Sequence, residues 1–192
     1  MKDDKCLVDI ISRILRFSPP KVMISEKEID TIDFKGKDDI EKKRLERAIF
    51  YKGKASILYF QASQASYYLR DENWDRLIRK TVYSADRAAE AAYLLKLRMN
   101  VRPEDRAAAK AEPYLSDLAG NCHIELRDFG NACFAYLKSA KAHIMDFRNK
   151  AKAKELKTIA EAIDSSMEIN LLKGDADARI IYEFLINNLK EN

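Results

Sequence analysis

Steps of three and four residues separate Ala48, Tyr51, Ala55, Leu58, Ala62, Ala65 and Leu69 without a break. That rhythm matches the 3.6-residue turn of an α-helix and excludes a strand, whose side chains alternate with a period of two. A helix carrying such a stripe has to bury it, and alanine in the stripe lets a neighbouring helix approach closely. The segment therefore predicts antiparallel helical hairpins joined along small-residue seams.

The rest of the chain repeats the signal. Leu69-Arg70-Asp71-Glu72-Asn73 reads as a polar turn, after which Trp74, Leu77, Ile78, Thr81, Ala85, Ala88, Ala92, Leu95 and Met99 share one face. Pro103 followed by Glu104 and Asp105 suits a helix start, since proline fits the first turn and acids favour the positive end of the dipole. Pro113 either kinks that helix or restarts it. Two further segments meet at Arg127-Asp128, another runs through Leu156, Ile159, Ala160, Ile163, Met167 and Leu171, and Lys173-Gly174-Asp175 turns into a last helix. At the N-terminus Leu7, Ile10, Ile11, Ile14, Leu15 and Phe17 form an apolar face that Pro19-Pro20 ends. Residues 21–39 show no period. The expectation is an all-α chain of six to seven helices in antiparallel hairpins, either a helical repeat or a bundle. It divides into an N-terminal helix and irregular arm (1–38) and a helical-hairpin domain (39–192).

Charge restricts the function more than the fold. The net charge is +4, with 15 basic and 9 acidic residues between positions 41 and 106. Arg76, Arg79, Lys80 and Arg87 concentrate this excess on the second body helix. The alternative function is thus a nucleic-acid or nucleotide accessory protein using the surface around Arg76–Arg87. An excess of six charges falls short of a dedicated nucleic-acid binder, and the linear sequence shows no alternation of basic and aromatic residues. Charges interrupt the N-terminus, no apolar run approaches the length of a membrane span, and three widely spaced cysteines make no disulfide framework. These features lead to an expectation of a cytoplasmic protein without membrane contact.

The stretch GNCHIELRDFGNACFAYLKSAKAHIM (120–145) holds two of the three cysteines and both histidines. Helical geometry separates them. His143 is ten residues beyond Cys133, roughly 15 Å along a helix, and Cys122 and His123 point about 100° apart. No CxxC, HxxxH or ExxH accompanies them. Cys122 falls on the apolar face of Leu115, Leu118, Ala119 and Leu126, and Cys133 on that of Phe129, Ala132, Tyr136 and Leu137. Both read as buried filler, and the histidines as half-exposed flank residues. No metal and no cofactor is expected. Gly53-Lys54 has Ala48 where a phosphate loop needs its first glycine, and GxSxG and HExxH are absent. The arginine shortly before a histidine that serves RNA cleavage in HEPN-type helical domains is missing as well.

Around Arg127-Asp128 the residue types resemble a tetratricopeptide (TPR) repeat. Gly120 fits the small position that ends a first helix, Phe129 the turn aromatic, and Ala132 and Tyr136 the alanine and aromatic of the second helix. His123 stands where tyrosine is usual. Ala65, Tyr68 and Trp74 match earlier in the chain, with Leu77 and Thr81 departing from the pattern. LLKGDADARIIY brings Ala178 and Tyr182 one residue out of register. Trp74, Phe129 and Asp175 are 55 and 46 residues apart, against about 34 in the family, so the likeness is to a TPR-like arrangement with longer helices.

The resemblance implies a groove, lined by the first helix of each hairpin, that captures a peptide or protein segment. Transferred onto this chain, its positions are Tyr59, Ser66, Tyr114, Asp117 and Asn121, with Asn170 further on. Tyr114, Asp117 and Asn121 also share one helix face by their spacing. The expected function is a non-enzymatic protein–protein interaction or scaffold module, self-association included.

Overall fold

The computed structural model describes residues 2–17, 39–99 and 107–190. Helix α1 (Lys2–Arg16) precedes a long pair, α2 (Asp39–Tyr68) and α3 (Trp74–Met99). A 3-10 turn (Ala108–Ala111) then runs into α4 (Glu112–Glu125), followed by α5 (Phe129–Phe147), α6 (Lys150–Ser166), the four-residue α7 (Leu171–Gly174) and α8 (Ala176–Leu189). The all-α class is as expected, with α7 filling the place read as a turn. Pro113 lies in the first turn of α4 and restarts the helix after the 3-10 turn rather than kinking it. The expected start at Pro103 and the arm at residues 18–38 lie outside the described residues.

Helices pack mainly on their neighbours in the chain: α2 on α3, α3 on α4, α4 on α5 and α5 on α6, with α8 returning onto α5. Helix α1 departs from that order and packs against α2, the 3-10 turn and α4. Two apolar clusters result. One joins α1 to α4 through Ile11, Leu15, Leu45, Ile49, Ile78, Leu95, Leu115 and Leu118. The other joins α5, α6 and α8 through Leu137, Leu156, Ala160 and Leu185.

The α3 stripe is buried as its periodicity predicts, with Ile78, Thr81, Ala85, Ala88, Ala92 and Leu95 all inside. The α2 stripe is not. Ala48 and Tyr51 are buried, but Leu58 is 64% exposed, Leu69 is 79% exposed, and Ala62 and Ala65 face outward with them. The contact face is rotated to Leu45, Ile49, Gly53, Ser56, Phe60 and Ser63. Its serines can be buried because they bond to their own helix. Ser56 Oγ donates to the Gly53 carbonyl at 2.8 Å and Ser63 Oγ to that of Phe60 at 2.7 Å. A satisfied hydroxyl then packs as a small residue.

Among the described residues no helix is long and apolar enough to cross a membrane.

Candidate functional site

The cysteines and histidines of the central hairpin are consumed by packing. Cys122 belongs to the first cluster and Cys133 to the second. The Cys133 thiol lies 3.4 Å from the Ala160 carbonyl, and burial, with Asp164 adding to it, pushes its pKa up to about 12. Both histidines are buried, correcting the expectation of half-exposed flanks. His123 is drawn in between two acids: Nε2 is 3.6 Å from Asp86 Oδ2 on α3 and Nδ1 is 3.2 Å from Asp128 Oδ2 in the α4–α5 turn. His143 is 2% exposed, edge-on to Tyr114 and tilted against Phe147, with ring centroids 5.4 and 5.9 Å away. Among the described residues no group hydrogen-bonds either of its nitrogens. Burial, followed by the charge of Lys152, lowers its pKa to about 4. Among the described residues no group of three His, Cys, Asp or Glu could hold a metal ion.

A buried charge cluster joins three helices. Lys96 on α3 forms an ion pair with Glu112 at the start of α4, and lies 2.5 Å from Asp146 Oδ2 on α5. Two carboxylates converge on one ammonium in a buried place, where desolvation disfavours the charged form of an acid. Burial accordingly raises the Glu112 pKa, against the pull of Lys96. Perturbed acids of this kind often mark active sites. Here the three side chains are only 14%, 9% and 0% exposed, so the cluster ties three helices together and offers no access to a substrate.

The five residues expected to line a groove separate by burial. Asp117 is 4% exposed and Ser66 is also buried, its carbonyl accepting the Asp71 N–H in the α2–α3 turn. Tyr59, Tyr114 and Asn121 are partly accessible. Asn121 Oδ1 accepts from the Tyr136 hydroxyl at 2.7 Å, which holds the α4–α5 hairpin closed. Burial raises the Tyr114 pKa, and Cys6 of α1 is near enough to add to that. Tyr59 stands apart from this group, under Lys80. Asn170 adopts a left-handed backbone at the start of α7 and donates to the Glu168 carbonyl.

The basic cluster is better organised in space than along the chain. Arg76, Lys80, Tyr83 and Arg87 follow steps of four, three and four on α3, one stripe of its surface. Lys80 Nζ sits 5.1 Å from the centroid of Tyr59, while Lys52 Nζ and the Arg87 guanidinium lie 5.1 and 5.7 Å from that of Tyr83. Tyr59 and Lys52 of α2 thus extend across the hairpin a basic–aromatic stripe that Arg76, Lys80, Tyr83 and Arg87 form on α3. Arg79 leaves the stripe and pairs with Asp75 at 2.8 Å; Arg87 is also held by Glu90 at 2.9 Å.

One feature escaped the sequence reading. At the α2–α3 turn, Tyr67, Tyr68, Arg70, Asp71 and Trp74 line an open depression of about 550 Å³. Tyr67 lies 6.1 Å from both Tyr68 and Trp74 by ring centroid. Asn73 donates its backbone N–H to Asp71, which lowers that carboxyl's pKa and fixes the acid on the rim. Three aromatics within eight residues were the available signal, but two of them read as hairpin packing.

No family model, curated protein or solved structure matches this chain.

Proposed function

We infer that this protein is a non-enzymatic interaction module, a series of helical hairpins that binds a segment of another protein. The observation that carries the reading is the exposed aromatic depression at the α2–α3 turn. Trp, Tyr and Arg are the residue types that dominate binding energy at protein interfaces. Here Trp74, Tyr67, Tyr68 and Arg70 meet around one hollow, next to the exposed Leu58–Leu69 ridge. Its chemistry fits a peptide that sets an apolar side chain on the rings and a polar group against Arg70 and Asp71. The TPR-like pattern of Gly120, Phe129, Ala132 and Tyr136 supports the same reading. Of the positions that the resemblance implies, Tyr59, Tyr114 and Asn121 are partly accessible, whereas Ser66 and Asp117 are buried.

The test compares wild type with a Tyr67→Ala/Tyr68→Ala chain, both residues being well exposed. Affinity purification from native lysate should yield a protein that the variant loses. With purified components that protein should bind wild type saturably, and the variant at least about tenfold more weakly. Equal affinities would overturn the assignment.

A second reading, binding of single-stranded nucleic acid, is favoured by the placement of Lys80 over Tyr59 and of Arg87 over Tyr83. Rings beside cations are what base stacking and phosphate neutralisation use. Fluorescence anisotropy with RNA and DNA oligonucleotides should show low-salt binding that Lys80→Glu/Arg87→Glu abolishes. No binding at low salt removes this reading.

A further inference from the structure

Hydrogen-bond donors dominate what the depression at the α2–α3 turn offers a ligand. Its lining carries the Tyr67 and Tyr68 hydroxyls, the Trp74 indole N–H and the Arg70 guanidinium, all able to donate. The backbone acceptors beside them are spent on the turn itself. The carbonyls of Ala65, Ser66, Tyr67 and Asp71 accept the N–H groups of Leu69, Asp71, Arg70 and Trp74. Asp71 brings a carboxylate to the lining, but its Oδ1 already takes the backbone and side-chain N–H groups of Asn73, at 3.1 and 2.9 Å.

A ligand matched to such a surface has carbonyls to be received and few N–H groups to place. A strand-like peptide carries an N–H at every residue and needs an edge of acceptors. A helical peptide spends its carbonyls internally and reads a groove several turns long, whereas this hollow is lined from a single turn. A proline-rich segment in the polyproline II form fits better: its prolines have no N–H, its carbonyls are unbonded, and its rings are apolar.

Spacing and size agree with that choice. Tyr67 lies 6.1 Å from both Tyr68 and Trp74, at interplanar angles of 78° and 53°. Two residues of polyproline II rise by about 6 Å, so residues i and i+2 of such a segment meet neighbouring rings. A hollow lined by five side chains offers too little contact to offset the ordering of a flexible chain. Polyproline II is largely ordered before it binds.

We propose that the depression at the α2–α3 turn docks a proline-rich segment of another protein in the polyproline II form, its rings on Tyr67, Tyr68 and Trp74 and its carbonyls on their polar tips and on Arg70. The inference rests on the interaction-module reading and names the class of segment that the module takes.

Trp74 is the only tryptophan of the chain, so its fluorescence reports on the hollow without a label. Titration of the full-length chain with a blocked decaproline peptide, followed by emission and by calorimetry, should give saturable binding with a Kd of about 10–100 μM. A blocked Gly-Ser peptide of equal length should bind at least about tenfold more weakly. Tyr67→Phe/Tyr68→Phe keeps both rings and removes two donors, and should weaken decaproline binding by about tenfold with an unchanged circular dichroism spectrum.

Neither heat nor an emission change up to about 1 mM decaproline overturns the inference. Equal affinity for the Gly-Ser peptide does so as well, since the polyproline form would not be selected. Undiminished affinity in the Phe variant overturns the role given to the donors. If decaproline fails while Tyr67→Ala/Tyr68→Ala still loses a lysate protein that wild type captures, the hollow takes a segment of another kind. This inference then falls and the broader reading stands.

Discussion

A Cβ placed on Gly120 would lie 2.9 Å from Cε1 of Tyr136, so the phenol ring rests directly on the backbone of α4. The same ring donates its hydroxyl to Asn121 on the next residue of α4. One aromatic side chain of α5 is thus held by a missing side chain and by a hydrogen bond, side by side. The contact also bridges the two apolar clusters, since Tyr136 belongs to the second and α4 contributes chiefly to the first.

Gly120→Ala tests this closeness through its sign. In a helix interior alanine is favoured over glycine by about 1 kcal/mol, but a methyl wedged under a fixed ring costs about 1–3 kcal/mol. Urea denaturation should show a net loss of about 1 kcal/mol. In a Tyr136→Leu background the ring is gone, and the same substitution should stabilise. A stabilising Gly120→Ala in the wild-type background would show that the ring moves freely.

His143 should make the protein acid-sensitive. Its folded pKa of about 4 lies below the ordinary 6.5, so the unfolded chain binds the proton first. The associated stability is complete above pH 6.5 and falls as pH drops towards 4, by roughly 3 kcal/mol in all. His143→Phe keeps a ring against Tyr114 and Phe147 and removes both titration and buried nitrogens. Chemical denaturation across this window should find the variant's difference from wild type growing towards pH 4; a constant difference would sink the argument.

Glu112 should act in the opposite direction. Its pKa is raised from 4.5 by burial, so between 4.5 and the folded value the native state binds more protons than the unfolded one. Stability from this group therefore declines as pH rises above 4.5. Glu112→Gln should flatten that part of the profile relative to wild type. Removing the shared cation with Lys96→Met should cost about 3–5 kcal/mol, because both buried carboxylates lose the ammonium that they share. A Lys96→Met chain as stable as wild type would show that the cluster is hydrated in solution.

Thiol reactivity should sort the cysteines. Cys6 is exposed, whereas Cys122 and Cys133 are buried, the latter with its pKa near 12. A thiolate is the reacting species. Titration with an aromatic disulfide reagent at pH 8 should modify one thiol per native chain and three in denaturant. Rapid reaction of three native thiols would contradict the packing.

The limits of the sequence reading are concrete. Helix α3 was legible because its buried face is made of Ile78, Ala85, Ala88, Ala92 and Leu95, which differ plainly from Arg76, Lys80 and Arg87 opposite. Helix α2 was legible as a helix but not in its orientation. Its alanine stripe and its serine stripe are both built of small residues, and the serines count as polar until their hydroxyls are seen bonded to the preceding turn. The extension of the basic–aromatic stripe onto α2 and the Tyr67–Trp74 depression each need two helices in register, and periodicity along one helix carries no such information.

The amino-acid sequence by itself determined the all-α class and the extents of the long helices α2 and α3. Those outcomes follow from local physics: 3.6-residue spacing, proline and the rise of a helix. Tertiary structure alone decided that the serine face of α2 goes inward, that α1 packs on α2 beside Gly53, and that one lysine serves Glu112 and Asp146. Each depends on which surfaces meet across many residues of intervening chain, where steric fit and the cost of burying a charge select among faces that local pattern leaves equivalent.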